Sequence, residues 1–407
     1  MPSAADRLFS AKIKINGQEK PDLYSCAETI RVTEDIERGS SFNLEVSLCR
    51  NDDGSWPHLD DDEMTAWNRV TVTVTVGTQT DTLMDGYISD IHIQTLEQTA
   101  QLKATFTGVD ASYVMNLEPH CHVWNDGKTY EEIAQTIITG APYNLTAVLP
   151  DSPASTSSPP PSVTQRGTDL QFLRELARRR GYEFYVLGGT GYFRAPVLNG
   201  TPQRQIAVNF GDRTNCENMQ MFVDGTAPTE VVAARVDRET GETVTARATS
   251  ADTAQPAMGT TDVSDQRGYG VPPTRVVLRR PPAGNETDLT TYLQGVMRNR
   301  TFWVRVTGTL NAMRYGAVLR TRKLVSIVGL GDRYNGNFYV RKVVHTLSQR
   351  TYRMEFEAVK NRLGEAAPTD TSGLEDPSST AAPVAAGSGA DTDTVTVRDS
   401  GAQVAPA

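Results

Sequence analysis

Along residues 8–110 apolar and polar side chains alternate in short runs, the period of a strand with one face on a core and one in water. Phe9, Ala11, Ile13 and Ile15 make the first run. It ends at Asn16-Gly17, a dipeptide that takes positive φ cheaply and closes hairpins. Glu28 to Glu34 follows, and Ser41 to Cys49 sets Phe42, Leu44, Val46 and Leu48 on one face. After an acidic, turn-rich stretch from Asn51 to Met64, Val70 to Val76 alternates Val with Thr, and Leu83–Leu96 and Ala100–Val109 continue the pattern. Short strands at this spacing predict a barrel or sandwich.

The period changes to that of a helix at Thr129. Thr129 and Glu132 form a capping box, and Tyr130, Ile133, Ala134, Ile137 and Ile138 fall on one stripe before Gly140 and Pro142 stop it. Residues 150–164 are Pro/Ser-rich and predict an exposed loop. A second helix is predicted from Asp169 to about Arg180, capped by Thr168 and ended by Gly181. Tyr182–Val186 and Tyr192–Ala195 then read as a hairpin around Gly188-Gly189. Strands resume at Ile206, run through Glu230–Arg238 and Val244–Thr249 around Glu239-Thr240-Gly241, and are followed by a polar stretch at 250–272. A third helix is predicted over 286–299, with Leu289, Tyr292, Leu293, Val296 and Met297 inward. Phe302–Leu310 alternates again. The predicted order is therefore a β module at 1–110, an α+β insertion at 111–204, a second β module at 205–363 and a disordered Ala/Pro/Ser/Thr-rich tail at 364–407.

Part of the pattern occurs twice. Val70 to Gly77 corresponds to Lys323 to Gly331, Asp85-Gly86 to Asn335-Gly336, and Ile88–Ile93 to Tyr339–His345, which aligns His92 with His345. Leu102–Phe106 corresponds to Tyr352–Phe356. The Asn335-Gly336 dipeptide reads as the tight turn between two strands, Leu324–Val328 and Phe338–Val344. A chain with two copies of one β module suits a joint between symmetries, because three chains present six similar modules.

Composition narrows the classes. The net charge of −9 argues against non-specific binding to nucleic acid, which requires clustered Lys and Arg. Cys26, Cys49, Cys121 and Cys216 are scattered with no CxxC pair, consistent with synthesis in a reducing compartment. No secretory h-region and no membrane-spanning apolar run is visible, so membrane insertion is not expected.

Candidate chemistry is thin. His120-Cys121-His122 lacks a second pair of ligands at matching spacing and reads as structural. Asp60-Asp61-Asp62-Glu63 lacks the spacing of a calcium loop and reads as a solvated face. Gly188-Gly189-Thr190-Gly191 joins two strands, not a strand to a helix, so it is no dinucleotide site. Catalytic, cofactor-binding and metal residues are all expected to be none, and the protein is expected not to be an enzyme. A wall-degrading hydrolase and a carbohydrate-binding module stand as the alternative classes.

Two segments carry a family resemblance. Residues 166–186, with Asp169, Phe172, Leu173, Leu176, Gly181 and Tyr182, and residues 335–363, with Gly336, Phe338, Val340, Val343, Val344 and His345, resemble the phage late control protein D family. This family comprises baseplate hubs of contractile tails, related to the hub part of VgrG and to hubs of contractile injection systems. The resemblance implies a mainly β chain with two tube-like β-barrel modules, forming a pseudo-hexameric ring as a homotrimer. It further implies tail tube or tube-initiator, baseplate components and a central spike as partners, the spike on a separate polypeptide. Synthesis in the bacterial cytoplasm and assembly into a baseplate would follow.

Overall fold

The computed structural model describes residues 9–60, 62–95, 101–124, 127–150, 163–236, 241–266, 271–283 and 286–365. The first region comprises β1 (Phe9–Ile15), β2 (Gln18–Glu19), α1 (Pro21–Cys26), β3 (Ala27–Asp35), β4 (Ser41–Cys49), β5 (Arg69–Val76), β6 (Gln79–Thr95) and β7 (Gln101–Asp110). Next come β8 (Pro119–Trp124), α2 (Tyr130–Thr139), β9 (Thr146–Val148), β10 (Val163–Thr168), α3 (Asp169–Arg180), β11 (Glu183–Leu187) and β12 (Thr190–Arg194). Then follow β13 (Gln203–Ala207), β14 (Cys216–Val223), β15 (Glu230–Val236), β16 (Thr243–Thr249), β17 (Arg275–Leu278) and α4 (Glu286–Arg300). The last are β18 (Val304–Asn311), α5 (Ala312–Tyr315), β19 (Leu324–Val328), β20 (Gly336–Leu347) and β21 (Tyr352–Lys360).

Thirteen strands form one sheet, in the order β14-β18-β21-β20-β3-β4-β7-β6-β5-β1-β2, with β19 also on β20 and β13 on β19. Its two halves have one connectivity. The strands β3, β4, β7, β6, β5 and β1 lie side by side in the first half, as β14, β18, β21, β20, β19 and β13 do in the second. Chain order matches as well as spatial order. One difference is that β1 runs antiparallel to β5, whereas β13 runs parallel to β19.

Register fixes the equivalence residue by residue. Extra residues sit at Glu28 in β3 and Glu217 in β14, and at Ser89 in β6 and Arg341 in β20. Such bulges re-aim a strand and act as register marks. With these aligned, Phe106 corresponds in register to Phe356, Tyr87 to Tyr339 and Lys103 to Arg353. Lys103 pairs with Glu28 at 3.2 Å and Arg353 with Glu217 at 2.8 Å, an equivalent ion pair across each half. At the end of β3, Asp35 Oδ1 accepts from the Glu37 amide; at the end of β14, Asp224 Oδ1 accepts from the Thr226 amide. The module is duplicated.

One apolar core runs under both halves, from Ile13, Val32, Phe42 and Phe106 to Val306, Tyr315, Phe338 and Phe356. Glycine makes room for the large rings. A Cβ at Gly108 would lie 2.1 Å from Phe42 Cε1 and 2.4 Å from the Tyr87 carbonyl; one at Gly308 would lie 2.8 Å from Phe356 Cε1.

Two insertions have cores of their own. The first packs α2 and α3, through Ile133, Ile137, Leu173 and Leu176, on Phe184 and Phe193 of the β11–β12 hairpin. Capping boxes at Thr129 and Thr168 and the left-handed Gly181 bound these helices as their sequences predict. The second insertion leaves the β14–β18 connection and packs α4 on β15, β16 and β17, through Leu289, Leu293, Val231 and Ala248. The helices α3 and α4 touch backbone to backbone, because Gly295 carries no Cβ to meet the Arg179 carbonyl.

Four expectations need correction. No pairing among the described strands closes either half into a barrel; the halves continue into each other through β3 and β20. Helix begins before Thr129, in the short α1. Asn335-Gly336 is not a two-residue turn. The connection runs from Gly329 to Asn335, and Gly336, at φ +116°, already pairs with Ile327 as the first residue of β20. Gly86 lies inside β6, opposite Asp110 and Val70, so the two glycines are not equivalent. That mismatch also shifts the histidines: His345 corresponds to Ile93, and His92 to Val344. A slip of one residue moves a side chain to the other face of a sheet, and His92 is exposed whereas His345 is fully buried. The predicted loop at 150–164 falls largely on residues 151–162, outside the described residues, as do 237–240 and 366–407.

Candidate assembly interface

The two halves meet where β3 pairs with the C-terminal half of β20, Asp35 opposite Lys342 through Ile30 opposite Leu347. This seam encloses a charged cluster. Glu34 of β3 is buried, and its Oε2 accepts from the Thr321 amide at 3.0 Å and from the Thr321 hydroxyl at 2.9 Å. Its Oε1 lies 2.7 Å from Arg320 Nε and 3.6 Å from His345 Nε2, neither with the alignment of a hydrogen bond. The other imidazole nitrogen of His345 is 2.9 Å from the Tyr352 hydroxyl. Arg320 also reaches Asp81, 3.6 Å away at the start of β6.

Burial alone would raise the Glu34 pKa. Arg320, His345 and the Thr321 amide outweigh it and hold the carboxyl at about 2. Burial, reinforced by Glu34, raises the Tyr352 phenol well above its ordinary value. An ionised carboxylate amid fixed donors therefore ties first-half strands β3 and β6 to Arg320, Thr321, His345 and Tyr352 of the second.

A second polar lock holds the first insertion on the sheet. The Tyr339 hydroxyl donates to Glu183 at 3.0 Å, Arg322 Nε lies 3.6 Å from the same carboxylate, and the Arg322 guanidinium stacks 4.1 Å over the Tyr185 ring. Burial raises the Glu183 pKa, opposed by Arg322 and Tyr339. Beside it opens a cleft of about 400 Å³, lined among others by Arg174, Arg178, Glu183, Tyr339 and Arg341.

Sheet edges are the other conspicuous surface. β6 pairs with β5 only as far as Tyr87, and beyond Ser89 only with β7. Among the described residues no strand covers the other edge of Asp90–Thr95, nor the outer edge of β14. Large apolar side chains stand there: Ile91 is 39%, Ile93 50% and Phe222 56% exposed.

The residues singled out by sequence chemistry lie apart. His120 and His122 share one face of β8; His120 Nε2 lies 3.7 Å from Asp169, and the His122 ring packs edge-on against Trp124 at 4.6 Å. Cys121 is exposed on the other face. In the acidic stretch Asp60 accepts from the Trp56 amide at 2.6 Å, and Glu63 pairs with Lys20. Gly188 and Gly189 form the tip of the β11–β12 hairpin, both at positive φ. No group of three or more His, Cys, Asp or Glu among the described residues is placed to hold a metal ion. Sequence reading missed the Glu34–Arg320 seam, because its members are separated by most of the chain and nothing local marks them.

Among solved structures, the tail protein from Neisseria meningitidis MC58 aligns with a TM-score of 0.63 over 87% of this chain and 97% of its own, at 13% identity. The 43 kDa tail protein of prophage MuSo2 from Shewanella oneidensis gives 0.62 over 87% and 98%, at 12% identity. An E. coli component of the type VI secretion system, described as structurally similar to the T4 bacteriophage tail proteins gp27 and gp5, gives 0.52 over 88% and 79%, at 10% identity. At such identities the likeness is one of fold. No curated protein matches the sequence. Residues 5–349 do match a family model, and the chain belongs to the family described as the Alg8 N-terminal domain.

Proposed function

We propose that this protein is a structural component of a phage tail or tail-like injection particle, and within it the baseplate hub. In this role three copies form a ring of six sheet modules that joins a hexameric tail tube to a trimeric central spike. The observation that carries the reading is the duplication: two equivalent half-sheets joined head to tail, with one head edge and one tail edge uncovered by any strand among the described residues. A heterologous contact of this kind closes into a ring when its rotation permits. The fold shared with phage tail proteins and a type VI secretion component supports the setting. Residues 1–110 and 205–363 would supply the ring modules and 111–204 the α+β insertion, with the chain made in the bacterial cytoplasm and built into the particle.

Native mass measurement of the purified chain tests this. A species at three times 44.4 kDa, seen as a ring by electron microscopy, is the expected result. A stable monomer at micromolar concentration counts against the ring.

A further inference from the structure

The seam inside the chain is a template for a second seam that the chain alone cannot form. At the inner seam a β3-type edge meets a β20-type edge. The equivalent of β3 is β14, and the equivalent of the paired part of β20 is Asp90–Thr95 of β6. On neither is the outer edge covered by another strand among the described residues. We propose that Asp90–Thr95 of one copy adds antiparallel to β14 of a second copy, in the register that the inner seam dictates. The inference rests on the ring reading above and adds the surface, the partner and the register.

At the inner seam Val343 faces Glu34, Val344 faces Thr33, His345 faces Val32 and Thr346 faces Arg31. Carried across by the matched bulges, these become Ile91 opposite Val223, His92 opposite Phe222, Ile93 opposite Met221 and Gln94 opposite Gln220. The pairing places Ile91 and Ile93 on the face that, at the inner seam, holds the buried Val343 and His345. It brings Phe222, a large exposed apolar side chain, against His92. Met221 and Val223 already pack on the edge of the core, which the new strand would extend. An open edge with apolar side chains invites strand addition, and here both partners of the addition are on the same molecule. Within one chain the two edges are not paired with each other.

One position departs from the template. Lys342 Nζ lies 4.0 Å from Asp35 at the inner seam, whereas the same place at the outer seam brings Asp90 opposite Asp224. Asp90→Lys should therefore tighten association by about 2- to 5-fold, the range of an exposed ion pair.

The test uses the full chain with Cys49 and Cys121 replaced by Ser, carrying Ile93→Cys with Met221→Cys or His92→Cys with Phe222→Cys. The two pairs sample both kinds of antiparallel neighbour. After oxidation, denaturing gels without reductant should show covalent multimers up to the full oligomer for at least one pair. Ile93→Cys with Phe222→Cys, whose side chains would lie on opposite faces, should show none. Native mass is read on every variant. An oligomer that links only in the shifted pair, or in none, overturns the pairing and leaves the ring standing. A disulfide formed within one chain assigns the edge to the chain itself and likewise overturns it. Monomers throughout, the unmodified protein included, overturn both readings. Weaker association of Asp90→Lys would also refute the register.

Discussion

The inner seam and the uncovered edges are equivalent in backbone and opposite in chemistry. Where β3 and β20 meet, Glu34 and His345 occupy the inward positions and Arg320 and Tyr352 close around them. The matching residues on the open edges are Val223 and Ile93, with Leu102 in the place of Tyr352. A buried carboxylate is tolerated only while each of its partners is present, since an unpaired buried charge is far more costly than the pair is stabilising. A seam made within one chain holds its partners together permanently. A seam between chains must also exist as two free halves, and Ile93 or Phe222 at half exposure is easier to keep in water than a dry carboxylate is to assemble. The duplicated module thus has a polar joint where it never opens and apolar edges where it is bare.

The largest expected effect breaks the inner seam. Glu34→Gln removes the nearer counter-charge of Arg320, leaving only Asp81 at 3.6 Å, and should destabilise the fold by about 3 kcal/mol, measured by urea unfolding. An unchanged midpoint would show that the cluster does not hold the halves together. The same carboxylate sets an acid limit. Its folded pKa is depressed to about 2 from an ordinary 4.5, so its contribution is complete above pH 4.5 and lost as pH falls toward 2. Stability should decline across that window in the native chain, and Glu34→Gln should flatten the decline. A parallel decline in both proteins would assign acid lability to other groups.

Next come the glycines, which compare the halves directly. In Gly108→Ala the Cβ would lie 2.1 Å from Phe42 and 2.4 Å from the Tyr87 carbonyl, closer than in Gly308→Ala, where it would lie 2.8 Å from Phe356 and 2.9 Å from the Asn218 carbonyl. Overpacking of this kind costs about 1–3 kcal/mol, and the first variant should melt at the lower temperature. Reversed order would mean that the tighter surroundings of Gly108 yield more readily than those of Gly308. Gly336→Val should cost about 1–3 kcal/mol, because φ of +116° strains a β-branched residue and its side chain would press on Lys360. The smallest effect is the ion pair repeated in each half. Lys103→Ala and Arg353→Ala should each leave the urea midpoint almost unchanged, as expected of exposed ion pairs, and a large loss in only one half would mark an asymmetry that the shared register conceals.

Much of this fold could be read in the sequence because its signals are local. The alternation of Val70–Val76, the capping boxes at Thr129 and Thr168 and the apolar stripe of α4 each lie within a dozen residues or so of chain. The duplication was legible as a pattern but misaligned, because Gly86 and Gly336 look alike in sequence and play different parts in space. Bulges at Ser89 and Arg341, which set the true register, carry no residue signature. Nor does the seam: Glu34 and Arg320 are each unremarkable until a sheet brings them together. Exposure of Ile91, Ile93 and Phe222 could not be read either, since apolar residues in an alternating strand are expected on the core.

The turn after Asp35 leads straight back through β4, while the equivalent turn after Asp224 opens into β15, β16, β17 and α4 before β18 returns. One module of each pair therefore bears this lobe and its twin does not. Any closed assembly of such chains would show twice as many repeats along its sheet as around its rim. A surface that seats on the sheet alone would count every module, and one that reaches the lobes would count only chains. If such chains close into a ring, the asymmetry of a single hairpin is enough to give that ring two different symmetries.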